Sequence, residues 1–209
     1  MTFRLENVEQ CDVLQATGDW AAMLSFCVQW VKQEPTNYLA WQGVGDAQVA
    51  LGDISDAITN YTLGIEYAPS NLIEAHGKTY SAASLWYRIG HAYQKLQITS
   101  QAIDAFLKAI AIDPRSGTLW NDLAVVHMNA RPMNTTAAFE ALKTALACEP
   151  KGLNILSNLG LLYAIVDRQD GVQHVHKSLL AIDEAEAARF LASAREIERG
   201  RGDASPAEA

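Results

Sequence analysis

The chain has 209 residues, is 49% hydrophobic and 19% charged, and carries a formal net charge of −8. That composition suits a folded domain with a sizeable core. The acidic balance argues against a nucleic-acid groove, which needs clustered Lys and Arg, and against an anionic membrane surface.

The N-terminal ten residues, Met-Thr-Phe-Arg-Leu-Glu-Asn-Val-Glu-Gln, lack the basic start and apolar run of a secretory signal. No stretch of about 20 apolar residues follows, so no membrane span is expected and the expected location is cytoplasmic. Helical patterning begins at once. Asn7, Gln10, Cys11 and Leu14 form a degenerate first helix, and Gly18-Asp19-Trp20, Met23, Cys27 and Pro35 a second. Cys11 and Cys27 fall on these two facing helices and are expected to lie close as a reduced, buried pair. With Cys148 the count is odd, and no C-x2-C metal spacing occurs.

The next segment reads Trp41, Val44-Gly45, Gln48, then Gly52-Asp53 in a turn, then Ala57, Tyr61, Gly64 and Pro69. The third is the clearest: Trp86, Ile89-Gly90, Tyr93, then Ala102, Phe106, Ala109 and Pro114. The fourth carries Trp120, Leu123-Ala124, His127, Ala138, Leu142, Ala145 and Pro150, with two extra residues around Arg131-Pro132-Met133-Asn134. The fifth has Leu156, Leu159-Gly160, Tyr163, Val172 and His176, with Asp183-Glu184 in place of the proline. Pro35, Pro69, Pro114 and Pro150 are 34, 45 and 36 residues apart, and each ends a helix by removing a donor and restricting the residue before it.

This ladder of W-x2-L-G-x2-Y, A-x3-F and P resembles the tetratricopeptide-repeat family over residues 4–184. The resemblance implies an all-α, right-handed superhelical solenoid of about five helix-turn-helix repeats, at 4–37, 38–71, 83–116, 117–152 and 153–184. Gly45, Gly90, Ala124 and Gly160 are then expected to be small because the facing helix backbone approaches there, with Ala57, Ala102 and Ala138 opposite. Trp41, Trp86 and Trp120 are expected to fill the space between successive repeats.

Two segments depart from the ladder. Residues 70–82 hold a surplus of 11 residues, which is about three helical turns. This insertion is either an extended or interrupted first helix, which Gly77 would weaken by about 1 kcal/mol, or a loop capped by Ser81 or Thr79. Its His76 is expected at solvent. After Asp183 a capping helix is expected over 185–200, with Asp183 and Glu186 as a capping box and Phe190, Leu191, Ala194 and Ile197 on one apolar face. It either closes the array or seats a partner or a second copy. Residues 201–209 are expected to be a disordered tail, in which Arg201-Gly202-Asp203 is solvated sequence.

No Gly-rich phosphate loop, H-E-x-x-H or G-x-S-x-G is present, so no enzyme activity, cofactor or metal is expected. His127 and His176 occupy ladder positions and are expected in the core. The resemblance implies a concave groove lined by the first helices. Projected onto it are Asp12, Gln42, Asp46, Tyr87, Arg88, His91, Asn121, Val125, Met128, Asn158 and Leu161. The surface runs from acidic (Glu9, Asp12, Asp46), through mixed (Tyr87, Arg88, His91), to apolar (Val125, Met128, Leu161). The family's carboxylate clamp for chaperone C-termini is not matched: Val8, Asp12, Gly43 and Ser84 stand at its positions and only Arg88 fits. Asn158 resembles one rung of the family's asparagine ladder, with Glu9, Gly43, Arg88 and Asp122 at the other rungs. The implied role is a non-catalytic cytoplasmic adaptor or scaffold holding a partner peptide or helix, and binding neither nucleic acid nor membrane. The alternatives are a secretion-type or assembly chaperone and a regulatory subunit of an enzyme complex.

Overall fold

The computed structural model describes residues 5–75 and 78–203. These form eleven helices and one two-stranded antiparallel sheet, in two compact units that divide after Pro114. Among the described residues no helix is long and apolar enough to cross a membrane.

The first unit contains α1 (Leu5–Thr17), α2 (Trp20–Gln33), α3 (Tyr38–Leu51), α4 (Ile54–Ile65), β1 (Ile73–Ala75), β2 (Lys78–Tyr80), α5 (Ala82–Lys95) and α6 (Thr99–Ile112). Its three interhelical turns within pairs are built alike. Gly18, Gly52 and Gln97 take left-handed φ values of 71°, 97° and 60°. The next residue's N–H then reaches back five positions: Asp19 to the Leu14 carbonyl at 3.1 Å, Asp53 to Gln48 at 2.9 Å, Ile98 to Tyr93 at 2.9 Å. This satisfies carbonyls that the helix end would otherwise leave open. N-caps start the helices: the side chains of Asp19, Asn37 and Ser81 accept from the backbone N–H groups of Ala22, Leu39 and Ala83.

Core packing explains the small ladder residues, with one correction. A Cβ on Gly45 would sit 2.3 Å from the Tyr61 ring, and one on Gly90 would sit 2.8 Å from the Phe106 ring. What fills the space is thus an aromatic ring from the second helix, not that helix's backbone. Ala57 and Ala102 are fully buried, Ala57 in one cluster with Tyr61. Trp41 donates to the Pro35 carbonyl at 2.7 Å, and its Cβ lies where a side chain on Gly64 would meet it at 3.1 Å.

The insertion is neither a helical extension nor a plain loop. β1 and β2 pair in the register Ile73↔Tyr80 and Glu74↔Thr79. Branched Ile73 and Thr79 and aromatic Tyr80 favour extended backbone over helix. A two-stranded hairpin is marginal alone, and here Tyr80 is buried in the cluster of Tyr38, Tyr61 and Leu85. Ser81 then caps α5, and the Ala82 N–H donates to the Pro69 carbonyl at 2.7 Å, closing the base of the insertion. His76 and Gly77 lie outside the described residues.

The second unit contains α7 (Gly117–Asn129), α8 (Thr135–Cys148), α9 (Leu153–Ile165), α10 (Gln169–Leu180) and α11 (Glu184–Asp203). The two extra residues of the fourth repeat fall in the loop between α7 and α8, which Asn134 closes by donating its N–H to the His127 carbonyl at 3.0 Å. Helix α11 packs on α9 and α10 through buried Ala187, Phe190 and Ala194. Asp183 accepts from the Glu186 N–H at 2.8 Å. Glu186 does not complete a capping box: its carboxylate takes the Ser157 hydroxyl at 2.9 Å instead. The helix continues through Asp203, so residues 201–203 are helical and not part of a disordered tail; Arg201 pairs with Asp167 at 3.0 Å. The remainder of that segment, 204–209, lies outside the described residues.

Candidate functional site

In the first unit α5 sets the site. Its residues 87, 88, 91 and 95 follow helical spacing and so share one face. With α1, α2, α3 and α4 they enclose a cavity of about 350 Å³ lined by Gln15, Trp20, Asp46, Val49, Ala50, Tyr61, Tyr87, Arg88, His91, Ala92 and Lys95. Its floor is an ion pair. Asp46 Oδ1 accepts from the Tyr61 hydroxyl at 2.7 Å and from Arg88 Nη1 at 2.9 Å. The Asp46 side chain is 11% exposed and that of Arg88 32%. Burial pushes the Asp46 carboxyl above the ordinary carboxylate range, while Arg88 and the Tyr61 hydroxyl pull it back. The Arg88 Nε–H is buried with no hydrogen-bond partner among the described residues.

The upper wall is aromatic. Tyr87 and His91 meet edge to face at 4.5 Å between ring centres, and both rest edge-on against Phe106, at 6.1 and 5.2 Å. These are attractive geometries for rings of opposed edge and face charge. Phe106 is fully buried and fills the space at Gly90, so the core of α5 and α6 also supports the cavity wall.

In the second unit α7 and α9 carry a row of amides. Asn158 donates to the Asn121 side-chain oxygen at 2.9 Å, and Asn121 donates to Asp122 at 3.0 Å. Asn121 is only 7% exposed, so the amide contact satisfies a group that burial would otherwise penalise.

Residues 83–116 match the family model for the tetratricopeptide repeat. The crystal structure of MamA superposes with a TM-score of 0.62 at 19% identity, over 92% of this chain and 96% of that one. YrrB, described as a TPR protein with an unusual peptide-binding site, superposes with a TM-score of 0.62 at 14% identity, over 88% of this chain and 89% of that one. Residues 83–116 are a tetratricopeptide repeat, and the chain has the fold of tetratricopeptide-repeat proteins. Among curated proteins it is similar to the protein CTR9 homolog of Arabidopsis thaliana, with 26% identity over 126 residues. That match takes in 58% of this chain and 10% of the relative, so the likeness spans about a tenth of the relative's length.

Of the residues projected onto the groove of this repeat fold, Asp46, Tyr87, Arg88 and His91 line one cavity, and Asn121 and Asn158 are hydrogen-bonded to each other. Gln42 lies outside the cavity and accepts from the Ser84 hydroxyl at 3.2 Å. Asp12 is exposed on α1 and is not among the lining residues. The acidic character assigned to Asp46 is offset by Arg88. The apolar anchors are turned partly inward: Met128 packs against the cluster of Ala124 and Leu142, and Leu161 against that of Leu156, Val175 and Phe190, while Val125 is half-buried. Of the two ladder histidines, His127 is half-buried, and burial lowers its pKa.

Lys95, Trp20 and Tyr61 were not projected onto the site. Lys95 stands four residues after His91 and seven after Arg88, a spacing legible in the sequence. Tyr61 had a signal too: a tyrosine in a buried ring position needs a partner for its hydroxyl, and Asp46 is the carboxylate beside Gly45. Among the described residues no cluster of His, Cys, Asp and Glu could hold a metal ion.

Proposed function

We propose that the chain is a non-catalytic, cytoplasmic interaction scaffold whose first-unit cavity receives a side chain from a partner peptide or helix. The observation that carries this is the convergence of Asp46, Tyr87, Arg88 and His91, four separately projected residues, on one open cavity. Its size, about 350 Å³, is at the lower end of what ligand pockets span. The lining holds two cations, Arg88 and Lys95, and one carboxylate, Asp46, which pairs with Arg88, so an acidic or carbonyl-bearing side chain is the complementary guest. Tyr87 and Trp20 supply rigid aromatic area at modest entropic cost, as interface anchors do. The peptide-binding site named for YrrB is consistent with this use of the fold. The Asn121–Asn158 pair is proposed as a second polar contact, made by the second unit.

The test is quantitative capture of a co-purifying partner by wild type, Tyr87→Ala and Arg88→Ala, with folding checked by circular dichroism. Loss of at least about tenfold in affinity is expected for each, in the range of an interface anchor. Unchanged affinity in a folded variant removes the cavity from the binding surface.

A further inference from the structure

We infer that Cys11 and Cys27 form a peroxide-oxidisable dithiol, whose disulfide staples the first helix to the second. The two sulfurs lie 3.2 Å apart, and both cysteines are free and buried. They belong to α1 and α2, helices joined by a turn of two residues, so the link would close a short loop inside one hairpin. Bond formation needs the sulfurs to approach by roughly 1 Å, to the ~2.05 Å of an S–S bond. The third helix hems the pair in: a Cβ on Gly43 would fall 2.6 Å from the Cys27 sulfur and 3.6 Å from that of Cys11. Only glycine leaves room for both sulfurs there.

The two thiols are not equivalent. Cys11 is 9% exposed, at the edge of the core, whereas Cys27 is 0% exposed. The hydrogen bond from Cys27 lowers the pKa of Cys11, against burial and the nearby charges of Asp12 and Asp46. That same bond, followed by burial, raises the pKa of Cys27. Cys11 is therefore the attacking sulfur and Cys27 the resolving one. The Cys11 thiolate attacks hydrogen peroxide, the O–O bond breaks, and a sulfenic acid forms with loss of one water once a proton is taken up. The Cys27 sulfur then displaces the hydroxyl from the Cys11 sulfur, forming the S–S bond and a second water. Overall two thiols and one peroxide give one disulfide and two waters.

The consequence is local. The described part of α1 buries only Cys11, supported by half-buried Val8 and Leu14, and it is the most thinly anchored helix of its unit. Thin anchoring of this kind marks segments that open first. The disulfide would suppress that opening, and would thereby hold Gln15 in the cavity wall.

The test treats the full chain with stoichiometric hydrogen peroxide, quenches by alkylation under denaturing conditions, and maps the product by mass spectrometry. The expected product is monomeric, has lost two hydrogens, contains a linked Cys11–Cys27 peptide pair, leaves Cys148 as the alkylated thiol, and reverts with dithiothreitol. Hydrogen exchange of α1 in the oxidised chain should slow by about 100-fold, the scale of loop-closure entropy for so short a loop. In Cys27→Ser, Cys11 should be trapped as a sulfenic acid by dimedone. Three alkylated thiols after peroxide, a link involving Cys148, or a disulfide between chains overturns the inference. So does a Cys11–Cys27 link that leaves α1 exchange unchanged. If Cys27→Ser does not fold, the wild-type map and exchange data still decide.

Discussion

The pair α5–α6 and the group α9–α11 solve the same packing problem in different ways. Gly90 on α5 receives Phe106 from α6, its partner helix. Gly160 on α9 stands at the corresponding ladder position, and the residue in the Phe106 register is His176, which is half-buried with its Nδ1 unpartnered among the described residues. The ring at Gly160 comes instead from Phe190 on α11, where a Cβ would meet it at 2.4 Å. A second inversion accompanies this: Gly171, on the second helix, accepts the ring of Tyr163 from the first, at 2.3 Å. The ladder therefore specifies a volume to be filled, and the last repeat fills it from the next helix along. The two fillers bring different companions. Phe106 supports Tyr87 and His91 of the cavity, whereas α11 brings Glu186, which engages Ser157.

The largest effects should come from emptying the two aromatic positions. Phe106→Ala and Phe190→Ala should each cost about 3–5 kcal/mol, the range for buried Phe truncation. Their locations should differ. Hydrogen exchange in Phe106→Ala should rise across α5 and α6, and partner capture should fall although Phe106 does not line the cavity. In Phe190→Ala exchange should rise in α11 and along the α9 face beneath it, with capture by the first unit retained. If both variants loosen the same helices, or Phe190→Ala leaves α11 protected, the contrast between partner-helix and borrowed filling fails.

Overfilling the same space should cost less, about 1–3 kcal/mol. Gly45→Ala puts a Cβ 2.3 Å from the Tyr61 ring, while Gly90→Ala meets Phe106 at 2.8 Å, so the first should be the more destabilising by urea denaturation. Tyr61 also has less freedom to retreat, because its hydroxyl is tied to Asp46. Equal midpoints for the two variants would show that ring position, and not the tether, is what adjusts.

A smaller effect concerns Asp46, which has no counterpart on α9, where Leu161 stands at the corresponding place after the glycine. Burial raises the Asp46 carboxyl above its ordinary value of 3.8 in the folded chain. The folded state then holds this proton more readily than the unfolded state does. The resulting contribution to stability is complete below the unfolded value and is lost as pH rises through the folded one. Carbon-13 titration should place the Asp46 midpoint above 3.8, and Asp46→Asn should flatten that part of the stability profile. A midpoint at or below 3.8 would mean that Arg88 and Tyr61 outweigh burial.

The helix pairs, their turns and the capping role of Asp183 were legible because each rests on local chemistry: periodic apolar residues, left-handed glycines, a side-chain acceptor at a helix start. Four cavity residues were legible for the same reason, since α3 and α5 are regular and their faces can be counted: Asp46 on the first, Tyr87, Arg88 and His91 on the second. What escaped were features set by tertiary volume. His176 occupies the aromatic register, yet nothing local says that Phe190 replaces it. Residues 70–82 preserve helical phase by length, but Ile73, Thr79 and Tyr80 favour strands, and Tyr80 gains burial only because Tyr38, Tyr61 and Leu85 leave it a place. Leu161 reads as a groove residue until α11 is laid across α9 and α10.

The smallest predicted effect sharpens the comparison at the turns. Gln97, between α5 and α6, and Asp167, between α9 and α10, both hold φ at 60°, in the position where Gly52 holds 97°. A side chain in the left-handed region costs roughly 1–2 kcal/mol, partly offset by the greater freedom glycine brings to the unfolded chain. Gln97→Gly should therefore stabilise the first unit by about 0.5–1 kcal/mol, read as a shift in its urea midpoint. Asp167→Gly should gain less, because it also removes the pair with Arg201 at 3.0 Å. That pair is largely exposed on the Asp167 side, and such contacts are worth only about 0–1 kcal/mol. If Asp167→Gly gains as much as Gln97→Gly, the Arg201 contact does nothing to hold the end of α11. If it is destabilising, that contact anchors α11 more firmly than a surface ion pair ordinarily does, and the borrowed helix is held from its far end as well as by Phe190.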